Sequence, residues 1–146
     1  MFKWASDPIV NRFMPYNCHK SVEESKAWIA SIAPEDYEFG FFLKVSGECI
    51  GSGSIGKDTS GAYNLGYNLN RAYWNQGYAT EAGKALIAWA YEHLNARDFA
   101  AAHATANVAS GRVIQKGGFQ FEKYGRYGRF DGSEIYEASF YKMHLD

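Results

Sequence analysis

The chain has 146 residues, 47% of them hydrophobic and 17% aromatic, with a formal net charge of −1. That composition excludes the disordered and fibrous classes and fits one compact domain, residues 1–146, with its own core. The near-neutral balance argues against general nucleic-acid binding, and no segment approaches the ~18 consecutive apolar residues of a membrane span.

The opening MFKWASDPIV lacks the basic start, apolar run and small-residue cleavage site of a signal peptide. Cys18 and Cys49 form neither a CxxC pair nor a disulfide framework, so a cytoplasmic protein with reduced thiols is expected. After Ser6-Asp7-Pro8, a short helix is predicted from Ile9 to Met14, ending at Pro15. Ser21 and Glu24 form a capping box for a second helix, whose apolar stripe Ala27, Trp28, Ile29 and Ile32 stops at Pro34.

The pattern then turns to strands: YEFGFFLKV from Tyr37, a turn at Ser46-Gly47, ECIGSGSIG from Glu48, and AYNLGYNL from Ala62. A long amphipathic helix begins at Gly77, with Ala79, Ala82, Leu86, Trp89, Ala90 and Leu94 on one side. DFAAAHATA from Asp98 reads as a strand, and Asn107 to Lys116 as a helix stopped by Gly117-Gly118. FQFEKYGRY, a turn at Asp131-Gly132 and SEIYEASFYKMHL complete an antiparallel hairpin. Hairpin strands around a strand–helix–strand crossover indicate an α/β (α+β) fold with a mixed, mostly antiparallel sheet.

Gly51-Ser52-Gly53-Ser54-Ile55-Gly56 matches GxGxxG, but KDTSGAYN follows it where a dinucleotide site needs a helix. These glycines read instead as a small-residue strand that admits a close neighbour. Gly77 differs, because a strand, a short loop and a long helix meet there. The first N–H groups of a helix lack partners and its dipole is positive at that end, which makes a main-chain anion site. No GxxxxGK[ST] occurs, so a nucleoside-triphosphate loop is excluded. Read alone, Gly77 also fits the plain start of a core helix, and Asn107 an ordinary N-cap.

Three blocks carry a resemblance: WASDPIVNRFMP, LGYNLNRAYWNQGYATEAGKALIAWAYEHL and ANVASGRVIQKGGFQFE. In order and spacing they resemble the GCN5-related N-acetyltransferases (GNAT), in their ribosomal-protein N-acetyltransferase-like (RimJ/RimL-type) branch. The resemblance implies an acetyl-CoA-dependent acyltransferase acting on a primary amine: a protein N-terminus, an amino sugar or a small amine. It implies that Trp74, Asn75, Gln76, Gly77, Tyr78, Ala79 and Thr80 surround the CoA pyrophosphate. It also implies that Asn107 and Ser110 face the pantetheine and thioester, with Lys116 in the same cofactor-binding set. In the family fold two neighbouring strands splay apart. Main chain near Leu69 and Asn70 would then bind pantetheine amides, and small Ala101 and Ala102 would leave room.

Two positions depart from the family pattern. Ile114 stands where many relatives carry an acidic Tyr, and Asn64 where many carry a basic Glu. Neither can do that proton chemistry. Ser110, Asn64 (through a held water) and His103 remain as catalytic candidates, with Tyr63, Tyr67 and Glu134 weaker. A satisfied core histidine is the plainer reading of His103. No histidine spacing indicates a metal. KYGRYGRFDG mixes aromatics with Arg126 and Arg129, which fits an acceptor-pocket hairpin better than RNA stacking. Relatives usually begin with a strand before the Ser6-Asp7-Pro8 segment; here either that strand is absent or the true start lies upstream of Met1. The next strand is then left near an edge, where a homodimer is expected. The departures also leave room for a catalytically weak CoA-binding module of the same fold.

Overall fold

The computed structural model describes residues 1–146, and its elements follow the expected order. They are α1 Phe2–Ala5, α2 Val22–Ser31, β1 Glu38–Phe42, β2 Cys49–Lys57, β3 Tyr63–Leu69, α3 Tyr78–His93, β4 Asp98–Ala104, α4 Val108–Lys116, β5 Gln120–Gly128 and β6 Ile135–His144. The strands form one sheet in the order β1-β2-β3-β4-β6-β5, in which only β3 and β4 run parallel. In this order β1 and β5 are the outer strands of the sheet.

Period-two alternation divides the sheet into two faces. Phe39 packs its ring on Trp89 of α3 at 4.9 Å, and Ile55, Phe99, Ala101 and Tyr141 join Ile87, Ala90, Ile114 and Phe119 in the main core beneath α3 and α4. The opposite face takes α1 and the loop after it, where the Trp4 indole donates to Ser52 Oγ at 3.3 Å. The GxGxxG segment is the strand expected. A Cβ on Gly53 would sit 2.5 Å from the Phe41 ring and 2.9 Å from the Gly66 carbonyl, and one on Gly51 would strike the Asn68 carbonyl.

Two expectations near the N-terminus fail. Residues from Ile9 to Met14 form successive turns, and the helix lies earlier, in α1. Pro8 brings no N–H, Asp7 Oδ1 accepts from Ile9 N at 2.9 Å, and the buried Asn11 amide donates to the carbonyls of Trp4 and Asp7 at 2.6 and 2.8 Å. Such side chains offer the backbone an alternative to the helical ladder. In α2, Ser21 Oγ does accept from Glu24 N, but the Glu24 carboxylate reaches Lys20 N rather than closing a full capping box. The α2 stripe is also not core: Trp28 and Ile29 are exposed, and only Ser25 is buried.

The loop from Asn11 to Asn17 is stapled to the C-terminal hairpin. Tyr127 donates to the Phe13 carbonyl, Tyr136 to that of Arg12 at 2.7 Å, and Asn17 to Asp131 at 2.6 Å. Arg129 spans Asn17 Oδ1 and the carbonyls of Asn11 and Arg12, while Arg126 pairs with Glu137 at 2.9 Å. Both arginines thus have partners within the chain.

Two outcomes follow from this packing. A Cβ on Gly111 of α4 would lie 2.8 Å from His103 Nε2 on β4. Gly111→Ala should therefore lower stability by about 1–3 kcal/mol, the cost of overpacking, in a denaturant titration. The second concerns alkali. Burial, with Tyr136 nearby, pushes the Tyr127 phenol up to about 12. Because the folded value lies above the unfolded ~10, this stabilisation is complete below pH ~10 and is lost as pH climbs towards ~12. Melting temperature should fall across that window and fall less in Tyr127→Phe; an equally steep fall in the variant would assign the alkaline limit to other groups.

Candidate cofactor and active site

The strands β3 and β4 pair at Tyr63–Phe99 and Asn64–Ala100 and then part. Each stays fully paired on its other side, β3 with β2 and β4 with β6. Where they part, Leu65 and Tyr67 of β3 turn towards Ala79, Thr80 and Gly83 of α3 and Val113 and Ile114 of α4, lining a narrow cleft. Ala101 is buried in the core below it, whereas Ala102 faces the other way and is exposed.

Beside this opening the chain passes from β3 to α3. Asn70 caps a short 3₁₀ turn, Arg71–Tyr73, by accepting from Ala72 N at 3.2 Å. The Trp74 indole donates to the Leu69 carbonyl at 3.1 Å, and Gln76 Nε2 to the Ala72 carbonyl at 3.2 Å. Asn70 N donates to the Ile50 carbonyl at 2.7 Å. The main chain at Leu69 and Asn70 is thus already partly engaged.

Asn75 (φ +60°) and Gly77 (φ +84°) both adopt left-handed backbone, and Gly77 is the N-cap of α3 with no side-chain cap. Open space surrounds the position a Gly77 Cβ would take, so the local need for glycine is its φ. The first bond of the helix is Glu81 N to the Gly77 carbonyl at 3.1 Å. The N–H groups of Tyr78, Ala79 and Thr80 precede it, at the positive end of the helix dipole. Left-handed residues leading into such an end make an anion-binding concavity.

Across the opening, Asn107 caps α4 by accepting from Ser110 N at 3.3 Å, and the Ser110 hydroxyl lies 3.0 Å from the Tyr67 hydroxyl. Burial raises the Tyr67 phenol above its ordinary value, with the Ser110 contact opposing the shift. Tyr67, ranked among the weaker candidates, is thus the side chain that meets Ser110. The signal was the alternation Tyr63, Leu65, Tyr67, Leu69, which puts its phenol on the helix-facing side of β3.

The other candidates lie apart from this group. Ile114 is core and carries no acid. Asn64 is exposed and donates to Asp58 Oδ2 at 2.8 Å, leaving its amide oxygen for a water. His103 is 8% exposed under α4; its Nδ1 donates to the Ala104 carbonyl at 2.7 Å, and its Nε2 meets the Tyr141 hydroxyl at 3.2 Å. That is the arrangement of a satisfied core histidine. Lys116 sits exposed in the last turn of α4, next to Gly117 at the far end of the cleft. Glu134 and Tyr63 lie outside the opening, Glu134 exposed and Tyr63 against Phe99.

The face away from α3 carries a polar group that spacing alone did not indicate. Buried Asn68 donates to Asn11 Oδ1 at 3.1 Å and to the Tyr16 hydroxyl at 3.4 Å. Glu38 lies on this face too, half-buried, and burial, with Asp36 nearby, raises its carboxyl above the usual range.

Known proteins resemble this chain in sequence and in fold. The chain is 32% identical over 95 residues to the probable N-acetyltransferase YjcK of Bacillus subtilis, a match covering 63% of this chain and 52% of that protein. The chain therefore spans about half the length of this relative. The fold matches an acetyltransferase (GNAT family) from Bacillus anthracis with a TM-score of 0.86 at 22% identity, over 99% of this chain and 86% of the other. It also matches a spermidine N-acetyltransferase from Vibrio cholerae, solved with CoA and spermine, with a TM-score of 0.80 at 10% identity over 98% and 86% of the two chains. The Acetyltransferase (GNAT) domain family matches residues 1–120, so the chain belongs to that family.

Proposed function

We propose that this chain transfers the acetyl group of acetyl-CoA to a primary amine within a ternary complex. The observation that carries this reading is the parting of β3 and β4 beside the uncapped start of α3. An extended, amide-bearing pantetheine arm fits between strands whose inner edges lack partners, and its pyrophosphate fits the N–H groups from Gln76 to Thr80. Lys116, exposed in the last turn of α4, would add positive charge for the cofactor phosphates.

In the transfer, the neutral amine attacks the thioester carbonyl, the C–N bond forms and the C–S bond breaks. The surplus amine proton passes to water held at Asn64 and neighbouring carbonyls. CoA leaves as a thiolate, hydrogen-bonded by Ser110 and protonated afterwards from solvent. A thiol of pKa ~8.5 is a tolerable leaving group, so a hydrogen bond suffices where relatives place an acid. His103, with both ring nitrogens engaged, holds α4 on the sheet in this scheme. The acceptor amine belongs to a protein N-terminus, an amino sugar or a small metabolite. A catalytically weak CoA-binding module is the second reading, favoured by the buried Ile114 and exposed Asn64 at the usual acid and base positions.

CoA at about 100 times its Kd should stabilise the fold by roughly 2.7 kcal/mol and raise the melting temperature accordingly. Gly77→Asp, which strains the left-handed cap and sets a carboxylate against the pyrophosphate, should abolish that rise. Equal CoA binding by the variant would place the cofactor elsewhere. Thiol release from acetyl-CoA across a panel of peptides, amino sugars and polyamines should single out one acceptor class, and CoA binding without release on any amine would favour the second reading.

A homodimer is the assembly proposed. β1 is a free edge, and Phe42 and Val45 beside it are exposed, so a second copy would cover both apolar side chains and unpaired backbone. Light scattering should return twice the chain mass; a monomer mass independent of concentration would overturn this.

A further inference from the structure

Ser110 is held from two directions. Asn107 takes its N–H and fixes the first turn of α4, while the Tyr67 hydroxyl reaches its Oγ from β3, 43 residues away in sequence and on the other side of the parted strands. A serine hydroxyl has one hydrogen, and it serves a departing sulfur only when it points there. Left alone, that hydrogen can point towards any nearby acceptor. A phenol is the more acidic of the two hydroxyls and hence the better donor. Burial raises the Tyr67 phenol, so it stays protonated at working pH with a hydrogen to give.

We propose that Tyr67 is a positioning residue for acetyl transfer: its phenol donates to Ser110 Oγ and so directs the serine hydrogen at the sulfur of CoA. The inference rests on the acetyltransfer reading above and on the role of Ser110 in it. No proton leaves Tyr67. Its hydrogen bond withdraws density from Oγ and strengthens the Ser110 O–H as a donor, as linked hydrogen bonds do. The α4 N-terminus, positive and capped by Asn107, adds to the stabilisation of the thiolate. The tyrosine side chain that many relatives place on α4 is here replaced by Ser110 on α4 together with Tyr67 reaching in from β3.

The test is a double-mutant cycle on the full chain, reading kcat and CoA affinity. Ser110→Ala is expected to lower kcat about tenfold, the loss of about one donor. Tyr67→Phe, which keeps the ring, is expected to lower it about fivefold, within the range of one hydrogen bond. The double variant should lose only about tenfold, because Tyr67 has nothing left to direct once Ser110 is gone. CoA affinity and melting temperature should stay near wild type in all three. With the seleno analogue of acetyl-CoA, whose selenolate needs less help in leaving, both single deficits should shrink together. A double variant that loses about fiftyfold, the product of the two, overturns the proposal, as does a Tyr67→Phe deficit that persists on the selenoester. Ser110→Ala at wild-type rate would instead remove the role of Ser110 on which the proposal stands.

Discussion

The parting of β3 and β4 after two residue pairs sets the terms for the rest of the molecule. A parallel pair that stops early leaves N–H and C=O groups along two inner edges, and buried backbone groups of that kind need partners. Elsewhere the sheet satisfies itself through long antiparallel ladders, so the opening is confined to one place. Leu65, Tyr67 and Ile114 keep the gap from collapsing, and α3 and α4 roof it from one side. An extended ligand carrying amides completes such a structure as an added strand would.

Both helices on that roof direct their N-termini towards the opening. One begins at Gly77 without a side-chain cap, and the other begins at Asn107, which caps through Ser110 N. Their dipoles give a positive potential made of main chain, in a protein whose net charge is −1. In the proposed reading this would supply anion affinity from main chain. The reacting end is equally sparing in charge, being built from hydroxyls and amides. The proposed acetyl transfer would therefore lean on alignment and hydrogen-bond direction, with little contribution from strong acids or bases.

The parts of the fold that were legible in the sequence are those where one period dominates. The strands of the sheet and the apolar side of α3 follow periods of 2 and 3.6, and Gly47, Gly118 and Gly132 mark turns with positive φ. The Gly77 helix start and the Asn107 cap were legible because each is local. What stayed hidden depends on residues far apart. Asn11 turns a helical-looking run into turns because its amide is drawn to Trp4 and Asp7, and Asn68 then meets it from β3. The stripe on α2 has the right spacing for a core, yet the sheet lies elsewhere. The pairing of Tyr67 with Ser110 becomes visible only once two strands and a helix are placed in space.

The staple between the Asn11–Asn17 loop and the C-terminal hairpin joins residues 112 to 124 positions apart. Such contacts cannot form until residues 127–136 have been made, more than a hundred positions after the loop they hold. Until then the early loop has no hairpin to lie on, and the polar face of the sheet has no finished wall. The cleft takes its lining from a shorter stretch, Leu65 to Phe119, although its β4 wall also waits for β6 to pair with it. The side facing away from α3 therefore closes only when the hairpin arrives, as non-local contacts generally close late.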